Sequence, residues 1–342
     1  MLKRIFTLVL SVLMLLGSFT ACGDQPPEET QIPTTAEQTE PEEEAKVMKV
    51  LTLGNSAAVD SNHMINLVAH AEGFDKELVI GTLYYSGCTL SQHVKFMNGD
   101  EPVYKLYISS TATPNLPPDG ITEVTMANAL RHDYWDVIVL QGGGGLFEDS
   151  TYTNGDIQAI QAFSNEHKLN PNAVFAWHFF GAPASDPELL NTYPNSPNPY
   201  VTRMAMFGNS RRNYFEACAE KYGKYIYTDD SFAFVICSDT AGMNASTTYL
   251  TEKDLIRDYF HTTDLGRLIT SYVWYAKLAG IEQLQEIKLD AIPRAFLKST
   301  QDKSQDRPIT EAEKAIILES VNNALKNPLE ITQSQYTQAP TE

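Results

Sequence analysis

The stretch "YWDVIVLQGGGG", residues 134–145, does most to limit what this chain can fold into. Val137 to Leu140 are apolar without interruption and run into Gln141 and four glycines. A strand with one wet face alternates apolar and polar residues. A continuous run marks a strand covered on both sides, which is the habit of parallel sheets. Three other segments read the same way: "KVMKVLTLGNS", ending at Gly54-Asn55-Ser56, "KELVIGTLYYSG", ending at Gly87, and "NAVFAWHFFGAP". Helical periodicity falls between them, from near Ser61 to a closing Gly73, around 155–167, within 200–222, and from about Thr262 to Leu278. The short "KYIYTDD", 224–230, predicts one more strand. Strands alternating with helices give an α/β domain with a mostly parallel central sheet and helices on both faces. A last amphipathic helix carries Ile317, Leu318, Val321 and Leu325 on one face. Thr310 and Glu313 form its capping box and Asn327-Pro328 stops it.

The ends of the chain read differently. Lys3 and Arg4 precede an apolar run from Ile5 to Leu16, too short to span a bilayer, and then "GSFTAC" ending at Cys22. That is the layout of a secretory leader, 1–22, closing on a cysteine that resembles a bacterial lipobox and would carry the lipid anchor. The plainer alternative is ordinary cleavage with Cys22 unmodified. Residues 23–46 are rich in Pro, Thr, Gln and Glu, with almost nothing to bury, and predict a disordered acidic linker. A folded domain is expected over 47–327, followed by a polar tail, 328–342, that reads as loose. The formal net charge is −18. Nucleic acid is therefore not an expected partner, since binding it needs Lys and Arg to neutralise phosphates. Beyond Cys22 the cysteines are Cys88, Cys218 and Cys237. An odd number argues against a disulfide scaffold, and their spacing resembles no zinc site.

Open parallel sheets hold their ligands at the carboxyl ends of the strands, where strand order reverses. Ser56 follows the first strand, Gly87 the second and Gln141 the third, and Asp258-x-x-His261 leads into the helix that begins near Thr262. Together they supply a hydroxyl, an imidazole, a carboxylate to orient it, and exposed backbone N–H groups. Acyl transfer requires these parts. Serine becomes a useful nucleophile when an imidazole takes its proton, and N–H donors stabilise the oxyanion that forms.

Gly54-Asn55-Ser56, Gly87 and Asp258-x-x-His261, in that order and spacing, resemble the first, second and fifth blocks of the SGNH/GDSL hydrolases. Gly-Asn-Ser stands here for the commoner Gly-Asp-Ser. The stretches "LTLGNS", "LYYSGCTLSQH", "WDVIVLQ" and "DYFHTTDLGRLITSYVWYAKLAG" resemble a sparsely characterised bacterial branch of that superfamily. The resemblance implies a flavodoxin-like three-layer α/β/α sandwich. It also implies Ser56 as nucleophile, His261 as base and Asp258 as its orienter, with the N–H groups of Ser56 and Gly87 in the oxyanion hole. One block departs. The superfamily's Gly-x-Asn after the third strand is replaced by "LQGGGG", which leaves the Gln141 amide or a glycine N–H to take the asparagine's place.

Other residues invite blander readings. Asp264 fits the first turn of a helix and is a reserve orienter for His261. His63 and His93 read as loop or helix-start residues, His178 as strand packing and Cys88 as a small buried residue. The Pro/Asn-rich segment Ala182 to Tyr200 reads as a long loop that either walls the site or is passive surface. Ser238 to Leu250 reads as irregular chain beside the catalytic loop. The expected activity is hydrolysis of short-chain, O-acetyl type esters on carbohydrate at the outer face of a bacterial membrane, through an acyl-enzyme and with no metal or organic cofactor. The substrate would be a small-molecule or glycan ester, and the lipid on Cys22 would hold the protein at the membrane. A glycan-binding lipoprotein without activity, or an acyltransferase using the same three residues, are the alternatives.

Overall fold

The computed structural model describes residues 47–112, 120–142, 155–179, 181–192, 199–292 and 307–339. The expected leader and linker, residues 1–46, and most of the glycine run lie outside them. In chain order the strands are β1 (Val47–Gly54), β2 (Glu77–Tyr84), β3 (Tyr104–Ser110), β4 (Ile121–Val124), β5 (Val137–Gln141), β6 (Val174–His178) and β7 (Phe234–Ile236), with a small separate pair, β8 (Ala291–Ile292) and β9 (Arg307–Pro308). The seven-stranded sheet runs β4-β3-β2-β1-β5-β6-β7. Strands β2, β1, β5, β6 and β7 are parallel, and β3 and β4 extend the β2 edge as antiparallel strands. The chain leaves β1 toward β2 and returns to place β5 on the other side. Strand order therefore reverses between β1 and β5, as in flavodoxin-like sheets.

Helices α1 (Ser56–Asn62), α2 (Ile65–Glu72), α9 (Ser238–Ala245), α11 (Asp264–Leu278) and α12 (Glu311–Lys326) pack together, and α3 (Leu90–Asn98), α4 (Met126–His132) and α5 (Asp156–His167) form a second group. The result is the three-layer α/β/α sandwich expected of the apolar pattern. Every residue of β5 is buried. In α11 the only residues not buried are Asp264 and Lys277, so the aromatic run is core all round. Trp135, Trp177 and Trp274 are fully buried, and Gly81 on β2 leaves room for the Trp135 ring, which a Cβ there would meet at 2.6 Å. Asn62 pins α1 to the sheet by donating to the hydroxyls of Thr52 on β1 and Thr82 on β2, at 3.1 and 2.9 Å. The remaining helices are α6 (Pro187–Leu190), α7 (Pro199–Met206), α8 (Arg211–Thr228) and α10 (Glu252–Leu255). Among the described residues no helix is long and apolar enough to cross a membrane.

Several expectations are corrected. The segment 224–230 is no strand: α8, capped at Ser210, runs through Thr228, and "FVI" at β7 takes the place beside β6. Strand propensity is a weak guide against a helix already under way. The helix expected from Ser61 to Gly73 is two helices, the first beginning at Ser56 itself; Gly73 closes the second in the left-handed conformation. Ser238 to Ala245 is a buried helix, and Pro187–Leu190 makes one turn within the supposed long loop. The tail is tied down as far as Tyr336. Asn244 Oδ1 accepts the Thr332 N–H, Thr247 Oγ1 accepts that of Ser334, and the Tyr336 carbonyl accepts that of Tyr249. Polar side chains at and just after the end of α9 satisfy the tail's backbone N–H groups, which a hydropathy reading does not see. Among the described residues Cys88, Cys218 and Cys237 form no disulfide.

His93 lies in the first turn of α3, a helix-start residue as one of the two readings had it, but it faces the core and not solvent. It is 1% exposed, stacked on Tyr104 with Nδ1 2.9 Å from the phenol oxygen, and burial pushes its pKa down to about 4. The unfolded chain takes up this proton near 6.5, so it binds more protons than the folded chain between 6.5 and 4. Stability must fall as pH drops through that window. In urea titrations the stability difference between wild type and His93→Gln should shrink by about 3 kcal/mol from about pH 7 to about pH 4. Parallel curves would show that His93 is not held neutral.

Candidate active site

The site forms where β1 and β5 end side by side. Gly54 closes β1, and Asn55 caps α1 by accepting the Ala57 N–H on its Oδ1 at 3.0 Å. Its other amide atom, Nδ2, donates to the Cys88 carbonyl at 3.0 Å. One side chain thus caps the helix that begins at Ser56 and ties it to the turn after β2. An aspartate could do the first and not the second, having no hydrogen to donate. The asparagine at position 55 therefore has a use that an aspartate would not fill. In that turn Gly87 is exposed with φ +64°, a left-handed conformation that glycine adopts without strain, and Cys88 N–H closes it on the Tyr85 carbonyl at 3.2 Å.

Gln141, 2% exposed at the end of β5, lies across the same strand end. Its Oε1 accepts the Asn55 N–H at 3.3 Å, and its Nε2 is buried with no acceptor among the described residues. Gly54 makes this possible. A Cβ there would run into the Gln141 amide and come within 2.7 Å of the Ala58 methyl. The Ser56 N–H stands in the first turn of α1, where backbone donors have no acceptor within the helix.

The opposing wall is the loop between α10 and α11. It is closed on itself by a bridge between Ile256 and Thr262 and by Arg257 N–H donating to the His261 carbonyl at 2.9 Å. Within it, Asp258 Oδ1 accepts the N–H groups of Phe260 and His261 at 2.9 and 2.8 Å. Folding the carboxylate back onto its own backbone presents it to the imidazole, and both its oxygens lie 2.9–3.0 Å from His261 Nδ1. This is the physical content of the Asp-x-x-His spacing. His261 Nε2 then stands 2.9 Å from Ser56 Oγ, across 205 residues of chain. Burial raises the Asp258 pKa, but the His261 ring and the two N–H groups outweigh it and hold the carboxyl below its ordinary value. The group is ionised at neutral pH and fixes the ring with Nδ1 protonated, leaving Nε2 to accept from the hydroxyl. The arrangement can deprotonate Ser56 and return the proton to a leaving group.

The structure therefore brings Ser56, His261 and Asp258 into one hydrogen-bonded line, with Gln141 and the Gly87 turn beside Ser56. Asp264 is not part of it; it pairs with Arg267 at 2.9 Å. His178 is fully buried against Trp274, burial pushes the Cys88 thiol up to about 12, and neither touches the line. Tyr259 and Phe260 flank His261, and Tyr200 from α7 packs on both. The chain after β6 supports the loop through Ala184 N–H, which donates to the Tyr259 carbonyl at 2.9 Å. Two features escaped the sequence. They are the double role of Asn55 and a buried carboxylate, Asp60, beneath the His261 loop, which Thr262, Arg257 and Arg267 all contact. Asp60 is one turn along α1 from Ser56, but nothing in the sequence pairs it with residues some 200 positions away.

The model of the DUF4886 family, a domain of unknown function, matches residues 49–292, from β1 through β8. The chain belongs to that family. The crystal structure of a DUF4886 family protein from Bacteroides uniformis ATCC 8492 is similar to it, at 18% sequence identity and a TM-score of 0.65, over 85% of this chain and 100% of that one. At that identity the likeness speaks for a shared fold alone. A protein from Slackia heliotrinireducens, provisionally described as an SGNH hydrolase, is 17% identical and covers 68% of this chain and 99% of its own. Its TM-score of 0.38 carries no argument. Among curated proteins no sequence matches.

Asn55→Asp keeps the helix cap and replaces the Nδ2 donor with an anion facing the Cys88 carbonyl. Thermal or urea unfolding should show a loss of about 1–3 kcal/mol. Wild-type stability in this variant would mean that the tie to Cys88 contributes nothing.

Proposed function

We propose that this chain is a serine esterase of the SGNH type. The observation that carries the reading is the line Asp258–His261–Ser56, whose three members lie within 3.0 Å of one another in sequence of contact. Ser56 Oγ attacks an ester carbonyl while His261 Nε2 takes its proton. The imidazolium, stabilised by Asp258, passes that proton to the departing alcohol. Water, activated by the same ring, then releases the acid from the acyl-enzyme. The oxyanion is held by the N–H groups of Ser56 and Gly87 and by Gln141 Nε2. Gln141 takes the place of the absent asparagine: its Oε1 is occupied by Asn55, so its orphaned donor is the atom left to serve. No cofactor enters this scheme.

The substrate class follows from setting. We place the protein at the outer face of a bacterial membrane, held through lipid on Cys22 and spaced from it by the acidic linker, acting on short-chain acyl esters of carbohydrate. The leader-like 1–22 and the composition of 23–46 support this placement.

The purified protein should hydrolyse p-nitrophenyl acetate, and Ser56→Ala and His261→Ala should each reduce kcat by at least about a thousandfold. Gln141→Ala should cost about a hundred- to a thousandfold with KM little changed, the signature of a lost transition-state donor. Equal turnover in wild type and Ser56→Ala would remove the reading. A wild type that labels at Ser56 with a fluorophosphonate yet transfers acetate to a sugar faster than to water would make it an acyltransferase.

A further inference from the structure

Beneath the His261 loop lies a buried charge cluster that the chemistry above does not use. Asp60 is 3% exposed and sits one turn after Ser56 on α1. Its Oδ2 accepts the Thr262 N–H at 2.9 Å and the Thr262 hydroxyl at 3.3 Å, immediately after His261. Its Oδ1 accepts Arg267 Nη2 and Nε at 2.7 and 3.1 Å, and both terminal nitrogens of Arg257 at 3.3 Å. Arg257 also donates to the Thr262 carbonyl at 2.6 Å, and its Nε stands 3.8 Å from Asp258 Oδ2. Both peptide groups of Thr262 are therefore gripped, the N–H by Asp60 and the C=O by Arg257. The nucleophile helix and the base loop meet through this grip as well as through the reacting hydrogen bond itself.

Among the described residues Lys253, Asp254 and Arg307 line a pocket with Asp264 at the outer edge, and five charged side chains make up the cluster itself. Asp60, Asp258 and Asp264 face Arg257 and Arg267, with Asp264 on the far side of Arg267. Three carboxylates against two guanidinium groups leave one negative charge, which an imidazolium at His261 balances. His63, at the end of α1, adds no charge at neutral pH, because burial and then Arg267 lower its pKa to about 4. Asp60 stays ionised despite burial, since Arg267, Arg257 and His261 together hold it at about 2. A buried carboxylate kept charged by two arginines is costly as pure scaffolding, where apolar packing of equal volume often does as well or better. Its location suggests what it is kept for.

Resting on the esterase reading, we propose that Asp60 and Arg257 are positioning residues. They fix His261 against Ser56 and bias its protonation in opposite directions. Removing the Asp60 charge leaves the cluster too positive and disfavours imidazolium. Removing Arg257 leaves it too negative and favours imidazolium. A purely structural pair would loosen the loop in both variants without moving the ring's titration in opposite senses.

The test follows the His261 ring by NMR across pH in wild type, Asp60→Asn and Arg257→Met, beside kcat and KM on p-nitrophenyl acetate. Asp60→Asn should move the half-titration of the ring, and the acid limb of kcat/KM with it, about one unit down, and Arg257→Met about one unit up. Each should lower kcat by about ten- to a hundredfold with KM within about twofold, as misplacement of a base does. Unmoved titration with wild-type kcat, or movement of both variants in the same direction, overturns the proposal. Should Asp60→Asn not fold, as judged by circular dichroism, Arg257→Met decides alone. That side chain is 29% exposed and its removal leaves no buried cation unpaired. An upward shift with reduced kcat upholds the proposal, and wild-type values reject it. The ring titration needs no substrate, so a wild type without turnover would count against the esterase reading while leaving the positioning test intact.

Discussion

The whole arrangement hangs on β1 pairing in parallel with β2 on one side and β5 on the other. Leu53 lies opposite both Leu83 and Leu140, so the three strands end at nearly the same level. Parallel pairing requires a crossover between strands, and the helices that follow β1 and β5 fall in different packed groups. The strand ends form a floor that carries Asn55 and Ser56. Gln141 and the Gly87 turn reach the same floor because their strands are in register with β1.

Within that frame Asn55 and Asp258 each satisfy two neighbours, and Gln141 satisfies one. Asn55 joins the helix start to the turn after β2. Gln141 accepts from Asn55 on one amide atom, and its other is buried with no acceptor among the described residues. Asp258 accepts two N–H groups of its own loop before it meets the imidazole. Such double use sets positions without extra residues, and it makes the parts unequal to their apparent substitutes. The asparagine at position 55 is not interchangeable with aspartate, because its Nδ2 donates to the Cys88 carbonyl.

The electrostatics follow the same economy. The chain is acidic, at −18 overall, yet the buried charge under the site is nearly balanced. Asp60 is desolvated, and its charge persists because two guanidinium groups and a backbone N–H replace the lost water. His93, stacked on the Tyr104 phenol with no ion pair among the described residues to hold a charge, is instead kept neutral, its pKa pushed down to about 4 by burial.

The sequence by itself determined the layered α/β class, because uninterrupted apolar runs admit few alternatives to a doubly covered sheet. It also marked Ser56, Gly87, Gln141, Asp258 and His261, because strand ends and a short Asp-x-x-His spacing are local features. Local signals likewise placed the Thr310–Glu313 cap, found as read at the start of α12. Tertiary structure alone decided that 224–228 continues a helix, that 238–245 is helical, and that the tail docks on α9. In each case distant packing overrode weak local preference. It alone brought Ser56 to His261 over 205 residues, and placed Asp60 under Thr262 over 202. Hydrogen bonds between residues so far apart leave no periodic trace in the chain. They exist only once the sheet has set where each strand ends.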